Sequence, residues 1–280
     1  MAPVKYGDFA KEANDLFNND YCFDRKFKLK TKTKNGFELT SEGSMKSSSN
    51  AVGGKLTSKF SLGNGVTINK LGVTHAGRFF ADAGYSGAIK GLSLSTLVED
   101  GGKIPPVGEL GVTYKHDLFT LTTKMDAMNG PTLKETLSTQ YENFLIGGEF
   151  KYNTGLDNKA EAALKDYNVG VAYRDGDLSV AATTKNKLSE FSVGVHHKLN
   201  KDVQIGATYQ HGASKFLAFG AQYRVDNVTT FQGKVDSKGI VSVNAHQQVS
   251  PNMKLIASSQ VNAASLSADT HRFGLQLQLS

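Results

Sequence analysis

The last ten residues, His271-Arg272-Phe273-Gly274-Leu275-Gln276-Leu277-Gln278-Leu279-Ser280, alternate strictly. Phe273, Leu275, Leu277 and Leu279 fall on one side, and Arg272, Gly274, Gln276, Gln278 and Ser280 on the other. A period of two predicts a β-strand with one apolar and one polar face. The first strand-like stretch repeats the pattern, with Phe27, Leu29, Thr31 and Thr33 set against Lys26, Lys28, Lys30, Lys32 and Lys34. Between the two ends the alternation persists. Leu110, Val112 and Tyr114 oppose Glu109, Thr113 and Lys115; Phe191, Val193 and Val195 oppose Glu190, Ser192, His196 and Lys198. Turn signals punctuate the runs: Asn35-Gly36, Asn64-Gly65, Gly101-Gly102, Asn129-Gly130, Asp175-Gly176, Lys238-Gly239 and Ser250-Pro251-Asn252. Counted this way the chain holds about nineteen strands. Strong strands at both ends, with similar strands throughout, predict a sheet closed on itself, because closure removes the unpaired edges.

Residues 1–24 obey a different rule. Tyr6, Phe9, Ala10, Ala13, Leu16 and Phe17 recur at helical spacing, with Lys5, Asp8, Lys11, Glu12 and Asp15 on the other side. The spacing predicts one short amphipathic helix, then a linker. No composition shift divides the remainder of the chain, so the expected organisation is an N-terminal helix and linker over 1–24 and a single β-barrel over 25–280.

Hydropathy decides where such a barrel can live. The mean hydropathy is −0.32, and no run approaches the ~18 apolar residues of a membrane helix. A membrane barrel is apolar on one face only, so its sequence looks soluble on average. A soluble sandwich also alternates, but its buried faces need many large apolar side chains, and its sheets stop well short of ~19 strands. Here the apolar faces mix Leu, Val, Phe and Tyr with Ala, Thr and Gly, which suits lipid contact. Nineteen strands ~4.8 Å apart and tilted ~40° enclose a backbone cylinder roughly 35–40 Å wide, leaving a lumen of about 25–30 Å. Side chains cannot fill it, so it holds water. A helix ~10–12 Å across fits inside and leaves an aqueous path.

The start, Met1-Ala2-Pro3-Val4-Lys5-Tyr6, has neither the apolar core of a secretory signal nor the Arg-rich, acid-free character of a matrix transit peptide. The expectation is synthesis in the cytosol and entry into a membrane from that side. The one cysteine, Cys22, excludes an internal disulfide and reads as a plain thiol, with no base beside it in sequence.

With its helix first, its run of strands and its closing strand, the chain resembles the mitochondrial porin family, the voltage-dependent anion channels. The most specific stretches are Pro3-Val4-Lys5-Tyr6-Gly7-Asp8, Leu29-Lys30-Thr31-Lys32-Thr33 with Asn35-Gly36, Phe219-Gly220-Ala221-Gln222-Tyr223-Arg224-Val225-Asp226, and the final strand. The resemblance implies an all-β membrane protein: a nineteen-stranded transmembrane barrel in the mitochondrial outer membrane, first and last strands parallel, the helix in the lumen. It also implies a voltage-gated, weakly anion-selective pore that passes nucleotides such as ATP and ADP, phosphate and organic acids passively. Such a pore needs the lipid bilayer as partner and no cofactor, and self-association is left open. Two departures stand out. Gly91-Leu92-Ser93 replaces the Gly-Leu-Lys linked to nucleotide contact in some members, and Lys70 falls near the place of a membrane-facing glutamate on the fourth strand.

Charge supplies the mechanism. By alternation the inward basic set is Lys26, Lys28, Lys30, Lys32, Lys55, Lys59, Lys115, Lys124, Lys151, Lys198, Arg224, Lys234, Lys254 and Arg272, against Glu38, Glu42, Glu109, Glu149 and Glu190 on the same face. A wide pore selects by field rather than by fit, and a net basic lumen concentrates anions. The helix face of Tyr6, Phe9, Ala10, Lys11, Ala13, Leu16 and Phe17 is the expected gating element. Catalysis finds no support: the histidines are scattered, His196 and His197 point to opposite faces, and there is no P-loop or nucleophile elbow. The sequence pI of about 9.1 raises nucleic-acid binding, but no aromatic-and-basic motif accompanies it, so no nucleic-acid partner is expected. Two alternatives remain. A protein-import type barrel should show a more acidic lining, and a soluble β-rich binding protein should need no detergent.

Overall fold

The computed structural model describes residues 2–128, 131–156, 161–213, 215–266 and 270–280. The Asn129-Gly130 turn lies outside them. A 3-10 turn at Tyr6–Asp8 and helix α1 (Lys11–Asn18) precede nineteen strands. In chain order these are β1 (Arg25–Lys32), β2 (Glu38–Met45), β3 (Val52–Gly63), β4 (Val66–Thr74), β5 (Phe79–Ser86), β6 (Leu92–Asp100), β7 (Val107–Lys115), β8 (Phe119–Asp126), β9 (Thr132–Tyr141) and β10 (Phe144–Asn153). There follow β11 (Ala163–Asp175), β12 (Leu178–Lys185), β13 (Glu190–Lys198), β14 (Val203–His211), β15 (Phe216–Arg224), β16 (Thr229–Asp236), β17 (Ile240–Ser250), β18 (Met253–Asn262) and β19 (Arg272–Leu279).

Each strand pairs antiparallel with the next, and β1 closes the ring by pairing parallel with β19, from Arg25 opposite Leu275 to Leu29 opposite Leu279. An odd number of antiparallel strands leaves the first and last pointing the same way, so only a parallel seam can close the sheet. Closure satisfies the backbone N–H and C=O groups along the strands, the condition for crossing a bilayer. No helix among the described residues is long and apolar enough to cross one. Tight turns hold the register: Asn64 and Gly65 take φ of 49° and 81°, the paired positive values of a type I′ hairpin.

The outward face is apolar. Phe27, Leu29, Leu56, Leu71, Leu110, Val112, Ile146, Val171, Phe219 and Leu275 all lie open on the barrel surface, far more contiguous apolar area than a water-soluble monomer displays. Lipid is the solvent that fits it. At Lys70 a bulge resets the alternation: Asp82 is the cross-strand partner of Lys70 and also accepts a 3.0 Å hydrogen bond from Asn69. Asp82 lies two residues from Phe80, whose ring sits under the lumen-facing Lys55 ammonium, so Lys70 shares a lumen-facing position and corrects the membrane-facing placement.

Glu135 is the one charged side chain on the outward face away from strand ends and bulges, among the described residues. It is the fourth residue of β9, between Leu133 and Leu137, and its sole described side-chain partner is the Thr123 hydroxyl, which donates at 3.4 Å. A carboxylate in the apolar band costs stability, so Glu135→Leu is expected to stabilise the barrel by about 1–2 kcal/mol. A higher thermal unfolding midpoint in lipid bicelles is the expected readout; a lower one would show that Glu135 has a partner that offsets its burial.

Candidate functional site: the lumen and its N-terminal segment

The N-terminal segment lies inside the barrel along the inner wall. The sequence predicts one helix through Tyr6 to Phe17, but the chain breaks it at Ala10, whose φ of −94° and ψ of 17° are not helical. The break has a geometric cause. The 3-10 turn packs on β9 and β10, and α1 packs on β13, β14 and β15, so a straight helix could not follow the curved wall. Tyr6 and Phe9 meet edge to face at 5.4 Å and sink against Leu145, Ala172 and Ala181, with Phe9 fully buried. Further on, Ala13, Leu16 and Phe17 are buried, while Lys11, Asn14 and Asn18 face the water.

Glycines make this close approach possible. A Cβ at Gly194 would stand 3.1 Å from the Ala13 Cβ, one at Gly206 2.8 Å from Leu16 Cδ2, and one at Gly220 2.8 Å from Phe17 Cε1. These are lumen-facing positions on three adjacent strands, where any side chain would lift α1 off the wall.

The wall also supplies the hydrogen bonds that the segment lacks. Thr120 Oγ1 donates to the Pro3 carbonyl and Ser138 Oγ to that of Val4, both at 2.7 Å. Arg174 Nη2 donates to the Asp8 carbonyl at 2.8 Å and to that of Phe9 at 3.3 Å. At the end of α1 the unpaired carbonyls of Leu16 and Phe17 accept from Gln232 Nε2 and Lys234 Nζ, and a cation there also complements the helix dipole. Asn244 Nδ2 donates to the Asp20 carbonyl at 2.8 Å, and the Cys22 amide donates to Ser258 Oγ at 3.0 Å. Residues 3 to 22 are thus fastened by β8 through β18. The linker from α1 to β1 is tied to the wall by these last two contacts.

Burial against the wall, with Glu149 and Asp166 nearby, pushes the Tyr6 phenol from 10.0 up to about 12. A raised pKa means that the docked state favours the neutral phenol. Its contribution is therefore complete below pH 10 and is lost as pH rises through about 12. Burial likewise pushes the Tyr21 phenol up, and its hydroxyl has no hydrogen-bond partner among the described residues. Hydrogen exchange of the 6–18 amides is expected to speed up between pH 10 and 12 beyond the intrinsic increase. Tyr6→Phe should remove most of that excess; an unchanged excess in Tyr6→Phe would assign it elsewhere.

The same parity that puts Thr120, Gly206 and Gln232 against the segment identifies the lumen face around the ring. On β1 to β3 it holds Lys26, Lys28, Lys30, Lys32, Lys55 and Lys59 with Glu38 and Glu42. Ion pairs join Lys28 to Glu42 and Lys30 to Glu38, each at 3.0 Å, and Lys32 to Glu38 at 3.5 Å. Lys115, Lys124 and Lys151 lie on this face on β7, β8 and β10, with Lys124 paired to Glu109 at 2.6 Å. Lys198, Arg224 and Arg272 lie there on β13, β15 and β19. Lys234 and Lys254 are drawn to the segment instead: Lys234 also stands 4.3 Å over the Tyr21 ring, and Lys254 lies 3.9 Å from Asp20. The charge pattern read from sequence omitted Arg174, which holds the 3-10 turn, and Lys134, paired to Glu149 at 2.8 Å. Both sit on the polar side of their strands, so alternation alone could have found them. The wall of β1 to β3 lies away from α1: its middle strand β2 is seven strands from β14, the middle of the three under α1, on the shorter way round the ring. The bare wall is the basic one.

A closed barrel with a lipid-compatible exterior, a polar lumen and an internal segment on one side of it defines a pore-forming membrane protein. The eukaryotic porin model matches residues 2–274, and the chain belongs to that family. Among its relatives, the Xenopus laevis "Non-selective voltage-gated ion channel VDAC2" is 28% identical, covering 99% of both chains. Its Homo sapiens VDAC1 counterpart is 27% identical, over 99% of this chain and 98% of that one. The Candida albicans "Mitochondrial outer membrane protein porin" is 25% identical over the whole of both. A mutant Rh. blastica porin, 11% identical, covers 86% of this chain and 98% of its own at a TM-score of 0.51, a likeness of fold alone.

Proposed function

We propose that this chain forms a voltage-gated, weakly anion-selective aqueous pore in the mitochondrial outer membrane, passing small metabolites and ions by passive diffusion. Nucleotides such as ATP and ADP, phosphate and organic acids are the proposed cargo. Residues 1–24 act as the gating element and residues 25–280 as the barrel. The names of the relatives support voltage gating and the membrane. The observation that carries anion preference is the bare wall of β1 to β3, where six lysines and only two glutamates share one face toward the open lumen. An ion passing that wall meets a net positive field that water screens over ~8–10 Å, a distance comparable to the lumen radius.

The test is a planar bilayer recording of the detergent-purified protein under a KCl gradient. Large single-channel steps, a chloride-favouring reversal potential and lower conductance at high voltage of either sign are expected. A cation-favouring reversal potential would overturn the proposed selectivity and favour a polypeptide-conducting barrel.

A further inference from the structure

A cavity of about 870 Å³ opens at one rim of the bare wall, between the ends of β1 to β4 and the β6–β7 loop. Lys26, Lys28 and Lys55 come from its strand wall, His75 and Arg78 from the β4–β5 turn, and Lys103 from the loop that covers it. The cover is held in place. The Arg78 guanidinium pairs with Glu99 at 2.9 Å and donates to the carbonyls of Ile104 at 3.2 Å and Gly101 at 3.4 Å, with its side chain only 12% exposed. Gly101 and Gly102 take φ of 91° and 71°, values that L side chains rarely adopt, so the turn of this loop depends on them.

The charges inside do not cancel. Glu42 is the lining carboxylate and is engaged with Lys28 at 3.0 Å. Lys26 stands in register with the neutral Ser44 and Gln276, and the Lys55 ammonium sits 4.6 Å over the Phe80 ring. Among the described residues, Lys26, Lys55 and Lys103 have no carboxylate within ion-pair distance. Three lysines that line one recess offer nine N–H donors for several acceptor oxygens at once. A single phosphate satisfies few of them, whereas a chain of phosphates spans them. The volume falls within the ~300–1,000 Å³ of small-molecule sites.

We propose that this cavity is a resting site for an oligophosphate anion at the mouth of the pore, the tail of a nucleoside triphosphate or an inorganic tripolyphosphate. The site deepens the anion-pore function and rests on it for the route by which the anion arrives. It lies apart from Ser93, which spends its hydroxyl on the Thr113 carbonyl at 3.4 Å.

Equilibrium binding of ATP, tripolyphosphate and orthophosphate to the full-length protein in detergent at low salt tests it. Both oligophosphates should bind, orthophosphate at least about tenfold more weakly, and K26Q/K55Q should weaken both oligophosphates about tenfold. K26R/K55R should retain them. A matched charge loss elsewhere in the lumen, K151Q/K198Q, should change binding less than about twofold. Equal affinity for ATP and tripolyphosphate assigns the site to the phosphates; tighter ATP, reduced to the tripolyphosphate level by His75→Ala, adds a stacked base on the imidazole. The site is overturned if K151Q/K198Q loses as much as K26Q/K55Q, if orthophosphate binds as tightly as tripolyphosphate, or if neither oligophosphate binds. The reversal potential of the same preparation keeps the two conclusions separate: chloride preference without oligophosphate binding removes the site and leaves the pore.

Discussion

A channel carrying glutamate in place of Lys26, Lys28, Lys30 and Lys32 is expected to exchange anion preference for cation preference. Each replacement changes the local charge by two units, and all four lie in one lumen-facing row of β1. The present ion pairs to Glu38 and Glu42 would become carboxylates beside carboxylates, so the wall would change sign rather than merely lose charge. Folding should tolerate the change, because the strand keeps its backbone pairing and its lipid face of Phe27 and Leu29. The reversal potential under a KCl gradient is expected to switch sign, with the permeability ratio moving severalfold, and the four-glutamine variant should fall between. A quadruple variant that inserts normally and still favours chloride would show that selectivity resides elsewhere in the lumen.

The second large effect concerns the docked segment. Phe9→Ala removes a fully buried ring from its seat on Leu145, Ala172 and Ala181 and is expected to weaken docking by about 3–4 kcal/mol. That is on the order of a few hundredfold in the docking equilibrium. An eight-residue helix does not hold its shape alone in water, so the undocked segment should unravel. Limited proteolysis at Lys11 should quicken accordingly, and the voltage dependence of closure should change with it. Arg174→Ala, which removes two hydrogen bonds to the Asp8 and Phe9 carbonyls, should have a smaller effect of about 1–3 kcal/mol. Unchanged protection of Lys11 in Phe9→Ala would mean that the remaining wall contacts suffice, and changed gating with a firmly docked segment would assign gating to the barrel.

Much of the fold was legible in the order of residues alone. The face of a strand residue depends only on whether its position is odd or even, so Phe273 to Leu279 and Lys26 to Lys32 declare their sides within a few residues. The exceptions are bulges, where one extra residue shifts the parity. Lys70 fell on the wrong side for this reason, since nothing in Val66-Thr67-Ile68-Asn69-Lys70 announces that Asn69 and Lys70 will share the partner Asp82. The helix was legible as an apolar spacing but not in its extent, because its break at Ala10 answers to the curvature of strands more than a hundred residues away.

The sequence by itself determined the class of element, the two faces of the sheet and the excess of lysine on the polar one, because these derive from local periodicity and charge. Tertiary structure alone decided where the N-terminal segment lies. The donors that cap its carbonyls, Gln232 and Lys234, and the glycines that admit it, Gly194, Gly206 and Gly220, belong to distant strands and reach it only when the ring has closed. It likewise decided that the basic wall of β1 to β3 faces open lumen, and that Arg78 folds a loop over its rim. Local rules set which way a side chain points; only closure of the ring sets what stands opposite it.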